Sequence, residues 1–170
     1  MDFALAPTSL PHAPAIQRLA SHPDVAATTL MEHPYPEDGA IRFIEDLVLP
    51  ERAAGRLYAF VMLDAGEVVG HISLKHVDLE RGEAEVGYWV GRPYWGRGYA
   101  SRAVREVATF AFEELGLLRL YAHVLAHNPA SGRVLEKAGF SPVELPPEAI
   151  PDACATKGET LGYERVASER

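Results

Sequence analysis

Apolar positions repeat at helical spacing most clearly between Ala100 and Leu115. Ala100, Ala103, Val104, Val107, Ala111 and Leu115 fall on one face, with Arg102, Arg105, Thr109 and Glu113 opposite. Gly116 is placed to end that helix. A weaker pattern predicts a helix from near Pro11 that turns Ile16 and Leu19 inward. In "HPYPEDGAIRFIEDLVL" a turn feeds a further helix, whose inward positions are read as Ile41, Ile44 and Leu47, opposite Arg42 and Glu45. Strand signals fill the middle of the chain. "RLYAFVML" and "EVVGHISLKHV" flank Asp64-Ala65-Gly66, a hairpin signal, and "EAEVGYWV" follows the turn at Arg81-Gly82. These three runs predict an antiparallel meander, and a short strand is expected over Phe3 to Leu5. "LLRLYAHVLA" is apolar enough to predict a strand buried on both faces. Asn128 and Pro129 open another helix as N-cap and first residue, Val134 and Leu135 face inward, and Gly139 ends it. "GFSPVEL" and "ETLGYERV" close the chain as a strand pair around a proline-rich loop. This order predicts an α/β protein, one mixed sheet with helices on both faces, in a single domain spanning residues 1–170.

Composition narrows the class. The chain has 170 residues, 48% of them hydrophobic and 24% charged, which suits a globular domain with a real core. Its formal net charge of -8 argues against nucleic acid and anionic membrane as partners, since both select basic patches. It suits a cationic partner such as an amine. The one cysteine, Cys154, excludes an internal disulfide and favours a reducing, cytoplasmic setting. No basic cluster surrounds it, so it reads as a thiol without a catalytic role. No apolar run approaches the ~18 residues of a membrane span. The start "MDFALAPTSLPHAPAIQ" lacks the pattern of a signal peptide.

The chemistry concentrates in "GYWVGRPYWGRGYASRAV". Two glycines spaced by one residue, where a strand gives way to a helix, let backbone come close to a ligand. The first amides of the helix have no internal partner and sit at the positive end of its dipole, which makes an anion site. Arg97, between Gly96 and Gly98, adds a fork of donors suited to phosphate. A diphosphate fits best. A Walker loop would place Lys-Ser or Lys-Thr where Tyr99-Ala100-Ser101 stands. A dinucleotide fingerprint would carry a third glycine or alanine where Ser101 stands and an acidic residue roughly 20 positions on, at the end of the next strand, which instead ends in "AHNPA". The plain structural reading is a tight turn that packs a helix on a sheet.

Taken together, "AEVGYWVGRPYWGRGYASRAV" and "YAHVLAHNPASGRVLEKAGF" resemble the GNAT superfamily of N-acetyltransferases, in particular its RimJ/RimL-like branch. The family's coenzyme A turn, Gln/Arg-x-x-Gly-x-Gly/Ala, falls on Trp95-Gly96-Arg97-Gly98-Tyr99-Ala100, with Trp95 departing at the first place. The resemblance is good from Arg56 to Phe140 and looser at the ends. It implies a mostly antiparallel sheet with a splay between two central strands. It also implies acetyl-CoA as co-substrate, with no metal. The pyrophosphate would meet the amides of Arg97, Gly98, Tyr99, Ala100 and Ser101. Pantetheine would run along the backbone of Tyr88, Trp89 and Val90, and Asn128 would touch the coenzyme. Ser131 matches a serine that the branch places near the coenzyme sulfur, where it would donate to the thiolate; otherwise it is a first-turn hydroxyl. Glu85 lies on the strand where many members carry a general base, and otherwise it is a salt-bridged glutamate. Glu83 is the reserve.

The implied reaction is acetyl transfer to a primary amine, a small molecule or a protein N-terminus, by direct attack. Such amines titrate near ~8 to ~10, so a base helps. His71, His76 and His123 lie on predicted strands and can relay a proton, although strand histidines are more often packed or hydrogen-bonded residues. They form no metal-ligand pattern. Tyr94 and Trp95 can wall a cofactor channel or simply pack on the sheet edge; Tyr35 can line an acceptor pocket or staple a helix entry. Two rival readings are a non-catalytic acyl-CoA-binding sensor and a nicotinamide enzyme. Dimerisation through the sheet edge stays open.

Overall fold

The computed structural model describes residues 1–146 and 157–169. Cys154 and the centre of the proline-rich loop lie outside the described residues. The elements run β1 (Phe3–Pro7), α1 (Ala13–Ala20), α2 (Pro23–Ala27), α3 (Gly39–Arg42) and α4 (Leu49–Ala53). Then come β2 (Tyr58–Asp64), β3 (Glu67–Asp78), β4 (Glu83–Val90), α5 (Tyr99–Thr109), β5 (Arg119–Leu125), α6 (Pro129–Lys137), β6 (Ser141–Val143) and β7 (Thr160–Val166). Among the described residues seven strands form one sheet in the order β1-β2-β3-β4-β5-β7-β6. Every neighbouring pair is antiparallel except β4 with β5. The predicted meander is β2-β3-β4. Its first turn holds Ala65 at φ 49° and Gly66 at φ 82°, the left-handed pair that a two-residue hairpin of matching twist demands.

Alternation along the strands loads both faces. Met62, Ile72, Leu74, Val86, Leu120, Ala122 and Val124 meet Val104, Val107 and Ala108 of α5, Ala111 in the π turn that follows it, and Leu135 of α6. On the opposite face Val61 and Val68 meet Ile16, Leu19, Ala40 and Ile44. Helices therefore cover both faces, as expected. Gly116 at φ 68° and Gly139 at φ 87° stand where the α5 and α6 segments end. No helix among the described residues is long and apolar enough to cross a membrane.

Two expectations need correction. Ile41 and Leu47 are 48% and 42% exposed, and the inward positions are Ala40, Ile44 and Val48. Between α3 and α4 the chain makes wide π turns over Phe43–Val48, and the Leu49 N–H reaches the Ile44 carbonyl. Wide turns bring every fourth residue inward, whereas the sequence reading stepped by three. The strand β5 is not buried on both faces: Leu120, Ala122 and Val124 are buried, whereas Arg119 and Tyr121 on the other face are partly exposed, and of that face only His123 keeps a buried side chain. Among the described residues the hydrophobic clusters on the α1 side of the sheet include no β5 residue, so apolar packing does not cover that second face.

Candidate active site

The gap comes from the pairing of β4 with β5. They run parallel only over Glu83–Arg119, Ala84–Leu120 and Glu85–Tyr121, then diverge. On its other side β4 stays paired with β3 as far as Val90–Gly70. The Gly91 N–H donates to the Val69 carbonyl at 2.8 Å, which makes Val90–Gly70 a pair without mutual hydrogen bonds. By alternation the backbone of Trp89 is bonded to His71 of β3, while the N–H and C=O of Tyr88 and Val90 point into the gap. The Val90 carbonyl there accepts from the Trp95 indole N–H at 2.7 Å.

Two cavities meet at the gap. One, of about 460 Å³, runs from the glycine turn past Tyr94 and Trp95 to α6. The other, of about 330 Å³, lies on the α1 side of the sheet over Glu85, Gly87 and Trp89. Tyr88, Trp89, Asn128, Ser131, Thr28 and Thr29 line both. The loop carrying Thr28 and Thr29 is fastened from across the gap. The Lys157 ammonium donates to the carbonyls of Ala26 and Met31 at 2.7 and 2.8 Å. The His127 Nε2–H donates to Ala27 at 2.9 Å, and the Asn128 amide to Thr28 at 3.4 Å. Burial pushes the Lys157 ammonium below the usual lysine range.

At the glycine turn, Gly96 and Gly98 have φ of 76° and 82°. A Cβ at either would meet nothing within 4 Å, so backbone conformation alone demands glycine. Gly98 is the N-cap of α5 and offers no side-chain cap. The Gly98 carbonyl accepts from the Arg102 N–H at 3.2 Å. Among the described residues no acceptor meets the amides of Arg97, Gly98, Tyr99, Ala100 or Ser101. Arg97, Arg133 and Lys137 bring positive charge to the same cavity. The Arg97 guanidinium lies 5.7 Å from the Tyr94 ring centre. Tyr99 turns its hydroxyl away to donate to Asp64, a bond that holds this carboxylate below its usual range.

Asn128 takes the N-cap position of α6, but its side chain reaches the Thr28 loop and leaves the helix uncapped. Ser131, in the first turn, meets the Tyr88 hydroxyl at 2.6 Å, and that hydroxyl also lies 3.1 Å from the Ser131 carbonyl. Burial pushes Tyr88 up to about 12, against the bond from Ser131, so the phenol stays protonated.

Glu85 lies buried on the other side of the gap. The His123 Nδ1–H donates to it at 3.0 Å, and the Lys75 ammonium and His76 Nε2 stand at 3.4 and 3.5 Å. Burial drives its pKa up, but the His123 hydrogen bond and the charges of Lys75, His123 and His76 together leave it below the ordinary glutamate value. Gly87 makes room for this cluster: a Cβ there would meet the Lys75 side chain at 3.0 Å. His123 Nε2 is buried without a hydrogen-bond partner among the described residues. Glu83 is drawn off to Arg119 and Arg81 at 3.3 and 3.5 Å. His71 is buried, 3.0 Å from the Thr8 hydroxyl, stacked on Trp89 with Phe43 edge-on. Burial pushes its pKa down to about 3, so it is neutral. Tyr35 lines a third cavity, of about 310 Å³, with Phe43 and Trp89.

The sequence reading therefore picked residues that meet at one gap. It missed the Tyr88 hydroxyl as the partner of Ser131, the Lys75–Glu85–His123 cluster, and the strapped Thr28 loop. Period-two alternation does place Tyr121 and His123 on one face of β5 and Glu85 on a face of β4. Only the strand register shows that those faces adjoin.

Residues 3–141 match the profile of the acetyltransferase (GNAT) domain. An uncharacterized N-acetyltransferase, p20 of Bacillus licheniformis, is 37% identical over 100 residues, covering 59% of this chain and 55% of that protein. The FsC-acetyl coenzyme A-N(2)-transacetylase of Aspergillus fumigatus is 29% identical over 147 residues, covering 82% and 63%. The chain thus spans about half to two thirds of the length of these curated relatives. A solved RimL ribosomal L7/L12 α-N-protein acetyltransferase in complex with coenzyme A superimposes with a TM-score of 0.83 at 16% identity, over 98% of this chain and 94% of that one. The Vibrio cholerae spermidine N-acetyltransferase in complex with CoA and spermine gives 0.78 at 19%, over 97% and 95%. At these identities the two structures establish a shared fold.

Proposed function

The chain belongs to the GNAT acetyltransferase family, and on that premise we propose that it moves acetyl from acetyl-CoA to a primary amine by direct attack, without a covalent enzyme intermediate. The observation that carries this reading is the row of amides from Arg97 to Ser101, without acceptors among the described residues, set behind two left-handed glycines at one mouth of the gap. Backbone donors at a helix start suit a diphosphate, and Arg97, Arg133 and Lys137 add charge for phosphate groups. The gap-facing N–H and C=O of Tyr88 and the N–H of Val90 suit an extended pantetheine amide chain, which would add to β4 as another strand would, while the Val90 C=O holds the Trp95 indole. Trp89 contributes its ring to the cavity walls, because its backbone is used by β3. Asn128 stands where the two cavities join.

The chemistry divides between the two sides of the gap. Ser131, backed by the protonated Tyr88 hydroxyl, donates to the departing thiolate. The Glu85 cluster opposite supplies the proton acceptor for the amine. The acceptor enters through the cavity over Gly87 and Trp89, beside Phe43 and Met31. Relatives include a spermidine N(1)-acetyltransferase from Vibrio cholerae, 24% identical over 110 residues, and a ribosomal-protein-serine acetyltransferase from Escherichia coli, 25% over 95. Small polyamines and protein N-termini are thus the two acceptor classes to try, and a net charge of -8 favours the cationic one. The test is thiol release from acetyl-CoA across a panel of primary amines and amino-terminal peptides. Release with at least one acceptor supports the reading; coenzyme binding with no turnover for any of them supports a non-catalytic acyl-CoA sensor instead.

A further inference from the structure

We infer that His123 Nε2 is the atom that takes the proton from the acceptor amine, and that Glu85 serves to hold and orient the His123 ring. The inference rests on the amine-acetylation reading above and assigns its base. Glu85 Oε1 accepts from Nδ1 at 3.0 Å, so the ring hydrogen sits on Nδ1 and Nε2 carries the free lone pair. That nitrogen is closed to bulk water and has no donor among the described residues. A buried acceptor without a partner is uncommon and calls for an explanation, of which a catalytic role is one. The ring lines the cavity over Gly87 and Trp89, on the side of the sheet away from the glycine turn, where an amine would approach a thioester in the gap.

Glu85 is the poorer base. Its carboxylate already faces three donors, Lys75, His76 and His123, and a proton placed on it would break up that cluster. Its pKa is also held below the ordinary value. The groups around His123 are few. Glu85 comes from β4, and Lys75 and His76 from β3 reach it through Glu85. Tyr121, on its own strand, stands edge-on at 6.1 Å. From β7 the opposed residue is the uncharged Gly162; Glu164, two pairs further along and opposite Tyr121, is bonded to Arg119 at 2.7 Å.

The step balances as follows. The acceptor enters as R–NH3⁺ and gives one proton to Nε2. The neutral nitrogen attacks the thioester carbonyl, the C–N bond forms and the C–S bond breaks. The surplus hydrogen on the new amide nitrogen replaces the one that the Ser131–Tyr88 hydroxyls deliver to sulfur. The products are the N-acetyl amine and the free thiol, and the proton on Nε2 leaves to solvent.

The experiment compares wild type, His123→Gln and Glu85→Gln with the best amine of the panel, following kcat/KM against pH and acetyl-CoA binding by calorimetry. His123→Gln should lower kcat/KM at neutral pH by roughly 100-fold, within the range for general-base removal, and erase the acid limb of the profile. Acetyl-CoA affinity should change by less than about threefold, because the turn on the other side of the sheet is intact. Glu85→Gln should keep a limb but move it to lower pH, as the imidazolium loses its counter-charge, an effect that a purely structural role would not produce. Independently of turnover, nitrogen NMR of wild-type protein should show His123 as the Nδ1–H tautomer. An Nε2–H tautomer, or a His123→Gln enzyme with near-normal rate and an unchanged limb, overturns the assignment and leaves acetyl transfer standing. A wild-type protein that acetylates no amine overturns both.

Discussion

Gly96 and Gly98 are held at φ of 76° and 82° with open space where a Cβ would stand. Replacing either by alanine therefore costs conformational energy alone, about 1–2 kcal/mol, and no packing. We expect Gly96→Ala and Gly98→Ala each to weaken coenzyme A binding at least tenfold in calorimetry, because relaxing the turn misaims the amides of Arg97 to Ser101. Unchanged affinity would mean that the turn does not hold the ligand. On the other side of the gap, Ser131→Ala and Tyr88→Phe should each lower kcat by roughly tenfold to a hundredfold while leaving acetyl-CoA affinity close to wild type, as fits a group acting on the leaving thiolate. A further residue-scale prediction concerns stability. The native pKa of His71 is pushed down to about 3, whereas an unfolded histidine titrates near ~6.5. Between these values the unfolded state binds the extra proton, so the stability from neutral His71 is complete above ~6.5 and drains away as pH falls, by up to about 1.4 kcal/mol per pH unit. Urea titrations at neutral and mildly acid pH should show this slope in wild type and its reduction in His71→Gln.

Single elements show what the sequence can and cannot declare. The α5 helix was legible because regular turns carry Ala103, Val104, Val107 and Ala108 inward, and Ala111 still faces the core although the turns widen to π over Phe110–Glu114. The segment from Gly39 to Ala53 misled the same argument, since π turns change the step from one inward residue to the next. In β5 the run of apolar letters concealed an alternation, with His123 on the gap side among small and aliphatic neighbours. The Thr28 loop was invisible, because its fastenings come from His127, Asn128 and Lys157, about a hundred residues or more away in the chain. Lys157 is the key fastening, with two charge-assisted bonds to backbone carbonyls. Lys157→Met should keep the aliphatic packing and lose both bonds. Hydrogen exchange at Thr28 and Thr29 is expected to speed up by roughly tenfold or more, since such bonds contribute about 1.5–3 kcal/mol each. Exchange at the wild-type rate would show that the loop is held by other contacts.

At the scale of the whole molecule, the proposed function rests on one break in an otherwise continuous sheet. Three residue pairs join β4 to β5, and beyond Glu85 the strands part. The glycine turn and α6 stand on one side of the break and the Glu85–His123 cluster on the other. The sequence named the turn from its own residues, and Asn128, Ser131 and Glu85 through a resemblance carried by motifs local to a strand or helix start. It could not show that Tyr88 meets Ser131 or that His123 meets Glu85, because sequence separations of 43 and 38 residues are closed only by register. Bound coenzyme A should stabilise this arrangement as a unit, by about 2.7 kcal/mol at a hundredfold excess over Kd. The most direct measurement is an amide NMR titration with coenzyme A and, in parallel, with pantetheine, which lacks the diphosphate. The account predicts that coenzyme A moves the signals of Arg97, Gly98, Tyr99, Ala100 and Ser101 most strongly and that pantetheine leaves them in place. Large shifts confined to other parts of the chain, or equal shifts at the turn with both ligands, would contradict it.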